Sequence, residues 1–140
     1  MRVLKVLTIA AFVLVTILIL HSGSQQRAPK YNTSSEVRVE GLIEEVQNYW
    51  CPISGEEGTH LMLKTDIDVL DIHVAPCRYL RGNGIEFRRG DHIAVIGSMV
   101  LFQAHDAMIA REVARGAETF TLRRTDGRPM WLEPYVPLLR

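Results

Sequence analysis

An apolar residue at every second position is the feature that most constrains this chain, and it is clearest between residues 60 and 74. Leu61 and Leu63 recur with this spacing, and Leu70 and Ile72 continue it after a short polar turn. A period of two is typical of strands with one buried face. Folding at the turn pairs Leu61 with Ile72 and Leu63 with Leu70, so apolar meets apolar across an antiparallel hairpin.

The same register predicts what lies on the opposite face of this hairpin. It places His60 opposite His73 and Met62 opposite Asp71. Directly opposed residues have Cβ atoms about 4.5–5.5 Å apart, so the two imidazoles are close enough to share a metal ion. Two interpretations stay open: a metal site formed by His60, His73 and Asp71, or a pair of solvated polar neighbours.

The remaining strand patterns predict an all-β domain. Two long strands contain an internal glycine, Gly41 in the first and Gly97 in the fourth, where a strand bends sharply or carries a bulge. Three strands, a short helical link and two or three further strands are typical of an OB-fold, a five- to six-stranded Greek-key barrel. The rival architecture is an open β-sandwich. The predicted segments are strands at 36–46, 60–64, 69–74, 93–101, 107–114 and 119–122, a loop at 49–58 and a helix at 76–81.

The N-terminus predicts export. Arg2 and Lys5 precede an apolar run over residues 3–20, which as a helix of about 27 Å just spans a bilayer. Two fates are open, an uncleaved inner-membrane anchor with the barrel on the periplasmic side, or a cleaved signal that releases the barrel. The predicted organisation is a hydrophobic helix as signal anchor or signal peptide (1–21), a flexible linker (22–35), the OB-fold-like domain (36–131) and an extended tail (132–140).

Three segments carry a resemblance to a group of small exported bacterial OB-fold proteins of poorly defined function. They are GDHIAVIGS at 90–98, IAREV at 109–113, and LR at 122–123 leading into DGRPMW at 126–131. The match extends over residues 36–131. It implies the fold and an extracytoplasmic location, and it carries over no catalytic residue.

A weaker resemblance is to the periplasmic haem chaperones of cytochrome c maturation, which are also an N-terminal anchor followed by an OB-fold. Those proteins attach haem to a His in a segment after the barrel, followed by a nearby Tyr. Residues 109–118 of this chain contain neither His nor Tyr. The resemblance therefore stops at the residue that carries the haem chemistry.

Cys51 and Cys77 are the two cysteines of the chain. In an exported domain such a pair most often forms a structural disulfide, which is the leading prediction. Free buried thiols, or contact with a metal or haem, remain as alternatives. Neither cysteine belongs to a Cys-x-x-Cys or Cys-x-x-Cys-His motif, which disfavours redox exchange and covalent haem attachment.

Two surface features are candidate partner sites. Tyr49 and Trp50 lie in the predicted first loop, where OB-folds present ligand-binding surface, and an aromatic pair there could stack on a base or sugar. The alternative is that Trp50 caps the barrel. The basic residues Arg78, Arg81, Arg88 and Arg89 could meet anionic lipid or an acidic partner.

Composition narrows the function classes. The formal net charge is zero, which is not the basic footprint of a nucleic-acid binder. No nucleophile, phosphate-loop or paired-carboxylate motif points to an enzyme. The leading interpretation is a non-enzymatic binding or assembly module that engages a protein partner at the membrane, without a cofactor. The alternatives are metal or haem handling through His60 and His73 or through the cysteines, and third an OB-fold that binds nucleic acid or sugar.

Overall fold

The computed structural model of the protein describes residues 27–132. The predicted anchor at 1–21 and all but the first residue of the predicted tail at 132–140 lie outside this range. Within it, no helix is long and apolar enough to cross a bilayer. The elements are β1 (Glu36–Cys51), β2 (Glu56–Lys64), β3 (Val69–Pro76), α1 (Cys77–Gly82), β4 (His92–Phe102), β5 (His105–Arg115) and β6 (Glu118–Thr121).

The strands form one sheet that closes on itself. Its order is β3-β2-β1-β4-β5-β6, and β3 also pairs with β5 in parallel over residues 71–73 and 107–109. The other pairs are antiparallel. Five strands therefore close a barrel, with α1 between β3 and β4 and with β6 added outside β5. This is the OB-fold topology, so the predicted fold class is confirmed.

The predicted hairpin has the expected register. Leu61 pairs with Ile72 and Leu63 with Leu70, while His60 pairs with His73 across the same two strands. The leucines and isoleucine belong to the barrel core. The core is formed by inward-facing side chains of all five barrel strands, with Leu80 of α1 and Trp131 closing it.

Both predicted bends are present. β1 pairs with β4 through its first half and with β2 through its second, and Gly41 lies where the two pairings meet. In β4 the register shifts between Ile96 and Gly97. A Cβ on Gly97 would lie 2.8 Å from the Met108 side chain and would overlap a carbonyl oxygen of β5, so glycine permits the close approach of two strands.

Two segments differ from their prediction. Residues 49–58, predicted to be a loop, are mostly strand, because β1 runs to Cys51 and the turn to β2 is confined to 52–55. In the predicted linker, Asn32 and Ser35 contact β4: the Asn32 amide donates to Ser98 Oγ at 3.0 Å and Ser35 Oγ lies 2.8 Å from the same oxygen. Strand β1 thus continues past its predicted end, and the segment before β1 packs on the barrel instead of forming a free linker.

Candidate metal centre

Three strands bring a thiol and two imidazoles together on the outer face of the barrel wall. Cys51 ends β1, His60 lies in β2 and His73 lies in β3. Their neighbours Leu61 and Ile72 point into the core, and successive side chains of a strand point to opposite faces. The extension of β1 past the predicted strand end is what carries Cys51 over the hairpin.

The cluster is buried although it lies outside the core. His60 is fully buried, and His73 and Cys51 are each 3% exposed. The Tyr49 ring stacks on His60 with centroids 3.9 Å apart, and Phe102 from the β4–β5 hairpin contacts His73 edge-on at 4.7 Å. The interpretation of the histidines as a solvated polar pair is therefore wrong.

The donor atoms converge. Cys51 Sγ lies 3.4 Å from His73 Nδ1, and one ligating atom from each of the three side chains falls within 4.8 Å of the other two. His60 Nε2 and His73 Nε2 are both buried without a hydrogen-bond partner. A buried ring nitrogen normally has a partner, so these two atoms are the anomaly in the cluster, and His60 Nε2 has no charged contact either.

Asp71 contacts the other side of both rings. Its Oδ1 lies 3.1 Å from His60 Nδ1, and its Oδ2 lies 3.4 Å from His73 Nε2, a close charged contact outside hydrogen-bond geometry. The Tyr49 hydroxyl lies 2.8 Å from His60 Nδ1 and donates to Asp71 at 3.4 Å. A carboxylate behind a histidine ring is the arrangement that orients metal-ligating histidines in proteins.

The surroundings of Cys51 lower the pKa of its thiol. Burial alone raises the pKa of Cys51, but the nearby imidazoles of His60 and His73 outweigh burial and lower this pKa to about 5. Burial lowers the pKa of His73, whereas the contact with Asp71 and the hydrogen bond to Cys51 raise it, to about 9 in balance. The pKa of Asp71 falls despite burial because both histidines lie against its carboxylate and stabilise the charged form. A thiolate is the form of cysteine that binds metal.

The two cysteines are both free and buried in this structure. Cys77 begins α1, and its Sγ contacts Thr59 Oγ1 at 3.4 Å, whereas Cys51 contacts His73. The predicted Cys51–Cys77 disulfide is therefore not formed here, because each thiol faces a different partner.

The predicted partner surfaces do not join this cluster, apart from Tyr49. Trp50 is 67% exposed, so it does not cap the barrel. Arg78 makes a bidentate ion pair with Glu56 at 2.7 and 2.9 Å, and Arg88 pairs with Glu86 at 3.0 Å. These pairs neutralise part of the predicted basic cluster, whose other members, Arg81 and Arg89, lie at the end of α1 and before β4.

Sequence reasoning missed two residues around the cluster. Phe102 covers His73, and Arg123 lines a small cavity together with Cys51 and His73. Both come from segments distant in sequence, and neither belongs to a recognisable ligand motif.

Fold and site together define an OB-type barrel with a buried Cys-His-His cluster on its wall. The model of the MamS/MamX magnetosome protein family matches residues 35–120, and the chain belongs to this family. No curated protein has a sequence that matches the chain. Among solved structures, one chain of the Stn1-ten1 complex of S. pombe is similar, with a TM-score of 0.47 and 16% identity. The match covers 59% of this chain and 59% of that chain. The likeness to the haem chaperones finds no support in these comparisons.

Proposed function

We propose that this chain is a non-enzymatic accessory protein of magnetosomes that binds one transition-metal ion through Cys51, His60 and His73. The observation that carries the proposal is the convergence of three buried donors, one of which, His60 Nε2, has no partner in the protein. A bound ion would satisfy that nitrogen. The magnetosome setting is taken from the MamS/MamX magnetosome protein family, to which the chain belongs.

The donor set favours a particular class of ion. Thiolate and imidazole ligands suit zinc, copper, iron or nickel, whereas magnesium and calcium prefer oxygen ligands. Asp71 would hold the two imidazoles in place for any such ion, because it contacts His60 Nδ1 and His73 Nε2 and leaves the other nitrogen of each ring for the metal.

Haem fits the cluster poorly. The cavity beside Cys51 and His73 has a volume of about 10 Å³, which is about the space of a single water. Neither cysteine is followed by the spacing that attaches haem covalently. We therefore propose a bare ion as the ligand.

The proposal keeps the barrel outside the cytoplasm, tethered by residues 3–20 and engaged with another membrane protein. The support is the apolar run after Arg2 and Lys5. The intact mass of protein taken from native membranes tests the tether, since an uncleaved anchor retains residues 1–24. A mature N-terminus at Gln25 would contradict it and leave a released barrel.

Metal titration of the full chain, purified under reducing conditions, tests the metal site. Zinc should bind in a 1:1 ratio, measured against a chromophoric chelator. Cobalt in its place should show a thiolate-to-metal charge-transfer band. Cys51→Ser should abolish that band. It should also weaken zinc binding by more than the roughly 10–100-fold that a lost outer-shell partner costs.

Cys77→Ser is the matched control, because Cys77 is the other buried thiol and contacts Thr59 rather than the histidines. It should bind zinc as the wild type does. Circular dichroism of each variant checks that the barrel is folded. A wild type that binds no zinc, or a Cys51→Ser variant that binds it unchanged, would refute the metal site.

A further inference from the structure

The β4–β5 hairpin covers the candidate metal centre with one side chain. Phe102 ends β4, and its ring meets the His73 ring edge-on, with centroids 4.7 Å apart. Phe102 also lines an open cleft of about 620 Å³, together with the carboxylates of Asp68, Asp71 and Asp106, which attract cations. Because the three donors of the centre are buried, an ion that reaches them from this cleft must displace a covering side chain.

The turn beside Phe102 holds backbone strain. Gln103 and Ala104 connect β4 to β5, and their φ angles of 48° and 65° lie in the left-handed region. Among residues 27–132 these are the two non-glycine residues with a positive φ. A two-residue hairpin turn with both φ angles positive prefers Asn-Gly, because most other side chains crowd the backbone there. Strain of this kind clusters at ligand clamps and switch regions.

The end of this hairpin lies beyond the pairing that closes the barrel. β5 pairs with β3 over residues 107–109, whereas Phe102 pairs across its own turn with His105. Gln103, Ala104 and His105 are exposed. Segments with exposed backbone and few buried contacts open at a lower free energy than the rest of a fold. A local opening of this end therefore lifts Phe102 from His73 and leaves the barrel closed.

A second approach to the centre is narrower. The cavity beside Cys51 and His73 has a volume of about 10 Å³, and Ile53 of the β1–β2 turn lines it. A hydrogen bond from the Gly55 amide to the Cys51 carbonyl closes that turn at 2.8 Å. Gly55 supplies the positive φ of the turn, 73°, at no steric cost. Of the two turns beside the centre, the strained one is therefore the turn next to Phe102.

We infer that the end of the β4–β5 hairpin, residues 102–105, is a gate that controls entry and exit of the ion at the Cys51–His60–His73 centre. The inference rests on the proposed metal-binding function and adds the route and the control of exchange. When the gate is closed, Phe102 covers His73; when it opens, the centre is connected to the cleft. Because one opening serves both directions, the gate sets the association and dissociation rates and leaves the equilibrium affinity unchanged.

Stopped-flow kinetics of the full chain with cobalt test the gate. The thiolate-to-cobalt band reports association after mixing and dissociation after addition of excess EDTA. Phe102→Ala should raise both rate constants about 2–10-fold, since that is the contribution of an aromatic pair to holding the gate closed. The double variant Gln103→Asn with Ala104→Gly, which has the preferred sequence for this turn, should lower both rate constants about fivefold by relieving the strain of the closed state. The cobalt affinity of both variants should stay within about twofold of wild type, because the gate acts on both rates equally.

Ile53→Ala is the matched control, because Ile53 lines the narrow cavity instead of the cleft and its truncation should leave both rates unchanged. Folded gate variants with wild-type rates, or faster exchange in Ile53→Ala alone, would overturn the gate and leave the metal site intact. A change confined to the dissociation rate would also overturn it, since it would show that Phe102 stabilises the bound state only. A wild type that binds no cobalt would overturn the proposed function and the inference with it. If Phe102→Ala does not fold, the turn variant decides.

Discussion

Replacing Asp71 by Asn should separate the role of this carboxylate from that of the ligands. One carboxylate contacts both rings, with Oδ1 3.1 Å from His60 Nδ1 and Oδ2 3.4 Å from His73 Nε2. An amide keeps the shape but is uncharged and has a single acceptor oxygen, so both imidazoles lose the anionic charge and one of them also loses its acceptor. The loss of one outer-shell partner typically lowers metal affinity about 10–100-fold. This is about 1.4–2.7 kcal/mol of binding free energy.

The chain supplies a close control for this change. Asp68 lines the same surface opening as Asp71, and its side chain contacts neither histidine. Asp68→Asn should therefore alter zinc affinity less than about twofold, since it removes the same charge from a solvent-screened position. The assay is chelator competition at fixed ionic strength, with unfolding of the metal-free proteins as a check on the fold. Equal losses in both variants would show that long-range charge, rather than ring orientation, explains the effect.

Three further predictions concern the barrel and its thiols. Gly97→Ala should destabilise the protein by about 1–3 kcal/mol in denaturant unfolding, because its Cβ would overlap a carbonyl oxygen of β5. Gly82→Ala, with no atom within 4 Å, should be neutral or slightly stabilising. Glu36→Gln should cost about 1 kcal/mol at pH 7. The bidentate hydrogen bonds from Arg111 lower the pKa of Glu36. The carboxylate therefore stabilises the fold fully above the ordinary carboxyl pKa. The stability difference between wild type and Glu36→Gln should vanish as the pH falls through the lowered pKa of Glu36. Thiol titration of the denatured, unreduced chain should find both Cys51 and Cys77 free; no free thiol would favour the disulfide predicted from sequence.

The barrel could be predicted because its determinants are local. Alternation over residues 60–74 fixes which side chains share a face, and a slip of one residue would turn Leu61 and Leu63 outwards. The bends at the internal glycines of β1 and β4 are also predictable from the sequence. A side chain at Gly41 or Gly97 would collide with a neighbouring strand. The residue at which β1 ends is harder to predict from the sequence, because Pro52 and Gly55 indicate a turn while Tyr49 and Trp50 favour a strand.

The sequence predicts that the two histidines of the candidate metal site are neighbours, but not that they are buried, because their burial depends on closure of the barrel. Cross-strand pairing brings His60 and His73 together, and that pairing follows from the sequence. Their burial does not, because alternation assigns them to the face opposite the core, which in a hairpin alone faces water. Phe102 reaches His73 only when β4 and β5 close the sheet against β3. Arg123, from the segment after β6, lines a small cavity with Cys51 and His73, so the surroundings of the cluster are formed by the closed barrel rather than by any one segment.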